Sequence, residues 1–98
     1  DTVLAQKSIR NMIRVANNAT ARKCLEMEAQ GATLAELMTV IAGTKSRAAY
    51  AAGDVEGAMF AVGTAIGLID DIPTCAELLE RMEAEAEEAI RGLSARLV

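Results

Sequence analysis

The residues able to do chemistry are few. The 98-residue chain contains no histidine, so it has no imidazole base and no Ser-His or Cys-His nucleophile. Glu80, Glu83, Glu85, Glu87 and Glu88 crowd one stretch. Paired carboxylates can act as acid and base, but on an exposed helix face they are solvated charges. Cys24 and Cys75 lie far apart. Two thiols without histidine do not make a zinc site. They do not make a disulfide framework either, and a reducing cytoplasm is the expected compartment. Both read as small buried residues on helices. Gly53, Gly57, Gly63 and Gly67 do not follow a strand in a G-x-G-x-x-G arrangement, so no dinucleotide fingerprint is present, and there is no P-loop. Lys7, Arg10, Arg14, Arg22 and Lys23 could form an anion patch; a solvated or salt-bridged face is the default reading.

Composition bounds what can position these groups. Hydrophobic residues make up 52% of the chain but aromatics only 2%, Tyr50 and Phe60. The core must come from Ala, Leu, Ile, Val and five Met, which favours close-packed helices over a sheet. So few aromatics leave little for base stacking, which argues against single-stranded nucleic acid. Residues 1–50 carry net +3 and residues 51–98 net −7. The acidic half argues against nucleic acid and anionic membrane as partners. No signal peptide or transmembrane span is visible. One domain is expected, with a modest core. The chain starts at Asp1 without a methionine, as a piece of something larger would.

The chain reads as mostly α, four to five helices after one N-terminal extended segment. Residues 1–10 alternate apolar and polar and predict a strand, which needs a partner. No second strand is evident, so the segment is merely extended or its partner lies outside the chain. Arg10 to Asn18 reads as a bend. Asn17 or Asn18 caps a helix over 18–30, stopped by Gly31. Thr33 and Glu36 form a capping box for a helix over 34–42, ended by Gly43. A short helix over 46–52 follows, ended by Gly53, with Tyr50 packed and its hydroxyl wet. Thr74 and Glu77 form a second capping box. It opens a helix over 75–97 whose Leu78, Leu79, Met82, Ile90, Leu93 and Leu97 share one face. Glu77 with Arg81, and Glu87 with Arg91, are i,i+4 pairs.

Between these elements lies GDVEGAMFAVGTAIGLIDDIP, Gly53 to Pro73. No residue from Gly57 to Ile69 is charged, and only Thr64 is polar. The run is too short to span a bilayer, which takes about 20 apolar residues. It predicts a helix over 55–69, capped by Asp54, ended before Pro73 and buried on most faces. Each interior glycine there costs about 1 kcal/mol relative to alanine. Such glycines imply close backbone approach, to another helix by default or to a ligand.

Three stretches together are similar to one enzyme family. KSIRNMIRVANN (7–18), LEMEAQGATLAELMTVIAG (25–43) and GDVEGAMFAVGTAIGLIDDIPTCAELLERM (53–82) resemble, in order and spacing, the C-terminal part of nitronate monooxygenases, formerly 2-nitropropane dioxygenases. Related enoyl and quinone reductases belong to the same group. The resemblance implies an FMN-binding TIM barrel about three times this length. This chain would be its C-terminal helical segment, covering the barrel mouth. FMN would be bound mainly by the barrel, and the family's flavin-phosphate glycines and histidine base have no counterpart here. Many relatives carry Gly-Gln in the glycine-rich helix where this chain has Gly63-Thr64. By position, Met59, Phe60, Gly63, Thr64 and Gly67 are the candidate substrate-pocket residues, and no catalytic residue carries over. The implied activity is oxidation of alkyl nitronates, with a small-molecule substrate, the rest of the barrel as partner and a possible homo-oligomer. Alternatives are a free-standing helical interaction module, or a segment of an enoyl or quinone reductase.

Overall fold

The computed structural model describes residues 1–97; Val98, the last residue, lies outside it. In chain order the elements are β1 (Thr2–Ala5), β2 (Ile13–Ala16), α1 (Ala19–Ala29), α2 (Leu34–Ile41), α3 (Gly43–Ala52), a 3-10 turn (Thr64–Leu68) and α4 (Cys75–Ser94). The chain is mostly helical, with a small antiparallel sheet.

The helix starts follow their capping chemistry. The Asn18 side chain accepts from the Ala21 amide and starts α1. Both capping boxes form, Thr33 with Glu36 at α2 and Thr74 with Glu77 at α4. Each satisfies amides that a helix start leaves unpaired. Gly53 closes α3 with φ 68°, a left-handed value that other residues rarely adopt. Gly43 does not end a helix as predicted; it is the first residue of α3, separated from α2 by the single extended residue Ala42. The longest helix stops at Ser94 rather than 97.

Two corrections change the architecture. First, the bend at 10–18 contains a strand. Ile13–Ala16 pairs antiparallel with Thr2–Ala5, Val3 opposite Val15 and Ala5 opposite Ile13. The partner of the N-terminal strand is therefore inside the chain. The connecting turn is unusual because Gln6 and Arg10, not glycines, take φ 63° and 57°. Such values are uncommon outside glycine, so the turn carries no Gly or Asn-Gly signal in sequence. It is held by bonds instead: Asn11 N donates to Gln6 O at 3.1 Å, and Asn11 Nδ2 to Gln6 Oε1 at 3.0 Å.

Second, the predicted helix over 55–69 does not form. Residues 60–62 run beside β2: Ala16 N donates to Phe60 O at 2.9 Å and Val62 N to Arg14 O at 3.1 Å. Val15 bridges Ala61 antiparallel. The only helical part is the 3-10 turn at 64–68. A short apolar run does not distinguish strand from helix by periodicity. Three glycines at about 1 kcal/mol each weaken the helix, while β2 offers this backbone ready partners.

The core is small. Ala5, Val15, Ala21, Cys24, Leu37 and Val40 are buried together, with Ile13, Leu25, Met27, Ile41 and Met59 packed against them. It joins one face of the hairpin to α1 and α2. By contrast α4 has no buried residue. Cys75, expected inside, is exposed on it. The molecule measures 57 × 34 × 17 Å with a radius of gyration of 18.7 Å. A compact chain of this length would have about 13 Å. Its accessible surface is 7494 Å², where a compact monomer of this mass exposes about 5,400 Å². About 2,000 Å² of surface is therefore in excess of a closed globule.

Candidate functional site

The stretch from Gly53 to Pro73 is positioned by one buried side chain. Asn18 is 4% exposed. Its Oδ1 accepts from Ala21 N at 2.9 Å, and its Nδ2 donates to Val55 O at 3.0 Å and Ala58 O at 2.8 Å. A single amide thus starts α1 and fastens the following segment to it. Two further bonds reinforce this: the Ala19 amide donates to the Glu56 carboxylate, and the Thr20 hydroxyl to the Glu56 carbonyl. Glu56 thus serves the start of α1.

From this knot the candidate residues diverge. Met59 is half-buried against the core. Phe60 is half-buried, and its ring meets Tyr50 edge to face, centroids 5.2 Å apart at 79°. Tyr50 is otherwise 75% exposed. Gly63, Thr64 and Gly67 are exposed. A Cβ built on Gly67 would have nothing within 4 Å, and one on Gly63 would meet only the Ala65 amide at 3.9 Å. Of the three glycines in 55–69, only Gly57 has a close neighbour, the Asp54 carboxylate; at Gly63 and Gly67 no described part of the chain makes the close approach. So the five candidates do not converge: two are anchored and three lie on a bare strip.

An apolar pocket of about 230 Å³ sits beside Phe60, lined by Ala49, Tyr50, Gly53, Asp54 and Val55. Ligand pockets usually span about 300 to 1,000 Å³. None of its lining residues is a lysine or arginine. These residues by themselves do not make an FMN site. Among the described residues no three His, Cys, Asp or Glu side chains come together as a metal site, and no helix is long and apolar enough to cross a membrane.

After the bare strip the chain turns at Asp70–Pro73 and enters α4. The Arg81 guanidinium forks onto Asp71, at 2.8 and 3.1 Å. This replaces the predicted Glu77–Arg81 pair, because Glu77 folds back to accept from Thr74 N at 2.8 Å. The Arg81 hydrogen bonds hold the Asp71 carboxyl below its ordinary range. The Glu87–Arg91 pair forms, at 3.5 Å and well exposed.

Sequence reasoning missed Glu28. Its carboxylate accepts from Gln6 N at 2.7 Å and Ser8 N at 2.8 Å, closing the turn after β1. Desolvation pushes this carboxyl up, but the Ser8 and Gln6 amides outweigh it and hold it below its ordinary value. A lowered folded value contributes stability that is present above the unfolded value, about 4.3. That stability is lost as pH falls through the folded value. An acid titration of folding should therefore be steeper below pH 4.5 for the native chain than for Glu28→Gln. Identical acid limbs would remove Glu28 from the account. Nothing in local sequence marks it, since its partners lie 20 and 22 residues away.

The two thiols differ. Burial first, then the neighbouring Glu28 charge, raises the Cys24 thiol. Its Sγ lies 3.6 Å from Glu28 Oε1. The thiolate is the reactive form, so Cys24 will be inert in the native state. A disulfide reagent at neutral pH should titrate one thiol, Cys75, and the second only in denaturant. Two fast thiols would mean that the core opens freely.

No protein-family model matches the chain.

Proposed function

We infer that this chain is a covering segment of a larger FMN-dependent oxidoreductase similar to the nitronate monooxygenases. The observation that carries the inference is the uncovered surface. A 20-residue amphipathic helix without one buried residue follows a glycine strip with open space before it. Contiguous apolar surface beyond a few hundred Å² marks an interaction site. Active sites of TIM barrels lie at one open end of the barrel, and a covering segment there excludes water.

Within that reading the residues divide. Asn18, Met59 and Phe60 fix the segment to its own small core. Gly63, Thr64 and Gly67 present bare backbone to the body that carries the flavin. FMN would supply the redox chemistry when bound there. This chain offers no base, so proton abstraction belongs to the rest of the protein. Two unpaired thiols fit a reducing cytoplasm. The test is the visible spectrum of the intact gene product with nitronate turnover. A colourless protein that takes up no FMN ends this reading. Nicotinamide-dependent turnover of an enoyl thioester would move it to the enoyl reductases.

One observation favours a second reading, a free-standing interaction module. Residues 1–62 close their own core around the hairpin, α1 and α2. Thermal circular dichroism of the 98-residue chain discriminates: one sharp transition favours the module, and molten behaviour favours a piece of a barrel protein.

A further inference from the structure

The excess surface has a chemistry. Along α4, residues advance by about 100° each. Leu78, Leu79, Met82, Ile90 and Leu93 fall within one arc of about 120°, and all are exposed, from 44% for Leu78 to 65% for Leu79 and Leu93; Leu97, just past the helix end, is 82% exposed. Glu83 and Glu87 border the arc on one side and Glu85 on the other. Before the helix, Leu68 and Ile72 are also bare, Ile72 fully. Pro73 and the Asp71–Arg81 fork hold this approach at the helix start. The result is an apolar strip about 30 Å long with acidic rims.

We propose that residues 66–97 form a docking arm whose occupant is a protein groove, apolar at its floor and edged with lysine and arginine. The inference deepens the covering-segment reading by naming what the arm lies on.

Area and charge support this occupant. The whole chain exposes about 2,000 Å² more than a closed globule of its mass, so an arm contact of the standard size, about 800 Å² per partner, fits within that excess. An amphipathic helix in an apolar groove is a recurring mode of recognition, read by anchors three and four residues apart. The rims select against the other occupants. Residues 70–97 hold eight carboxylates and three arginines. A second α4 would set like charges together across the seam, which is destabilising. An anionic bilayer would repel the arm for the same reason. The basic half of a second copy is too short a bed. Its exposed apolar stripe on α2 is Leu34 and Met38, a single turn. Of its cations, Arg14 is bonded to Thr2 Oγ1 and Arg22 to Asn17.

The test uses the 98-residue chain and two synthetic 21-residue helical peptides. Both carry leucine at heptad a and d positions; one has lysine and the other glutamate at e and g. The readouts are stoichiometry by titration calorimetry and amide hydrogen exchange over 75–94. The lysine peptide should bind one to one and slow exchange across α4 at least tenfold. Its affinity should weaken several-fold between 50 and 300 mM NaCl. The glutamate peptide should not bind. Glu83→Lys with Glu85→Lys should exchange the two preferences while leaving α1 and α2 amides unchanged, since both sites are exposed. Equal binding of both peptides would overturn the proposal. So would α4 protected by self-association alone, or by vesicles containing phosphatidylglycerol. No flavin enters the experiment, so its outcome is separate from that of the FMN spectrum.

Discussion

Asn18→Ala will destabilise the chain by about 3 kcal/mol, the sum of a lost helix cap and of carbonyls left unpaired, one of them buried. The cap bond to Ala21 N accounts for about 1 kcal/mol. The rest comes from Val55 O and Ala58 O, which lose Nδ2 as donor. The Ala58 end is buried, so water does not replace that bond freely. An unsatisfied buried acceptor costs about 1–3 kcal/mol. Asn18→Asp is the informative control. It keeps the acceptor for Ala21 N but turns a donor into a carboxylate facing two carbonyls. It should therefore fall nearer to alanine than to wild type. Urea unfolding measures both, as midpoint shifts at constant slope. A loss under 1 kcal/mol for alanine would mean that the segment 55–58 is not fastened here.

The second large effect is a contrast between two identical deletions. Leu37→Ala removes the largest fully buried side chain and should cost about 3 kcal/mol, in the range for core leucines. Leu79→Ala removes the same atoms from a residue 65% exposed. In the isolated chain it should change stability by less than about 0.5 kcal/mol. If Leu79→Ala is as damaging as Leu37→Ala, α4 is packed in solution and the uncovered arm does not exist. Once the arm is docked, the same Leu79 substitution should cost affinity.

The contrast also explains what could be read from sequence. The starts of α1, α2 and α4 were legible because capping is local: Asn18, Thr33 with Glu36, and Thr74 with Glu77 satisfy amides within three residues of themselves. The hairpin was not legible. Its turn is held by Glu28 from α1 and by an Asn11–Gln6 pair, not by turn residues. The stretch 55–69 was misread for a related reason. An uncharged run predicts a rod buried on most faces, yet its middle pairs with β2 and its last part is bare. Its apolar character records a surface, not a period. Cys75 was expected inside on the same logic, and α4 exposes it. Of the candidate pocket residues, Met59 and Phe60 are packed and Gly63, Thr64 and Gly67 are not.

Small-angle X-ray scattering of the monomeric 98-residue chain tests the central claim most directly. An arm standing away from the core gives a radius of gyration near 18.7 Å, with a distance distribution skewed to long vectors. A value near 13 Å, that of a compact chain of this length, would mean that α4 folds back onto its own core and that no surface awaits a partner.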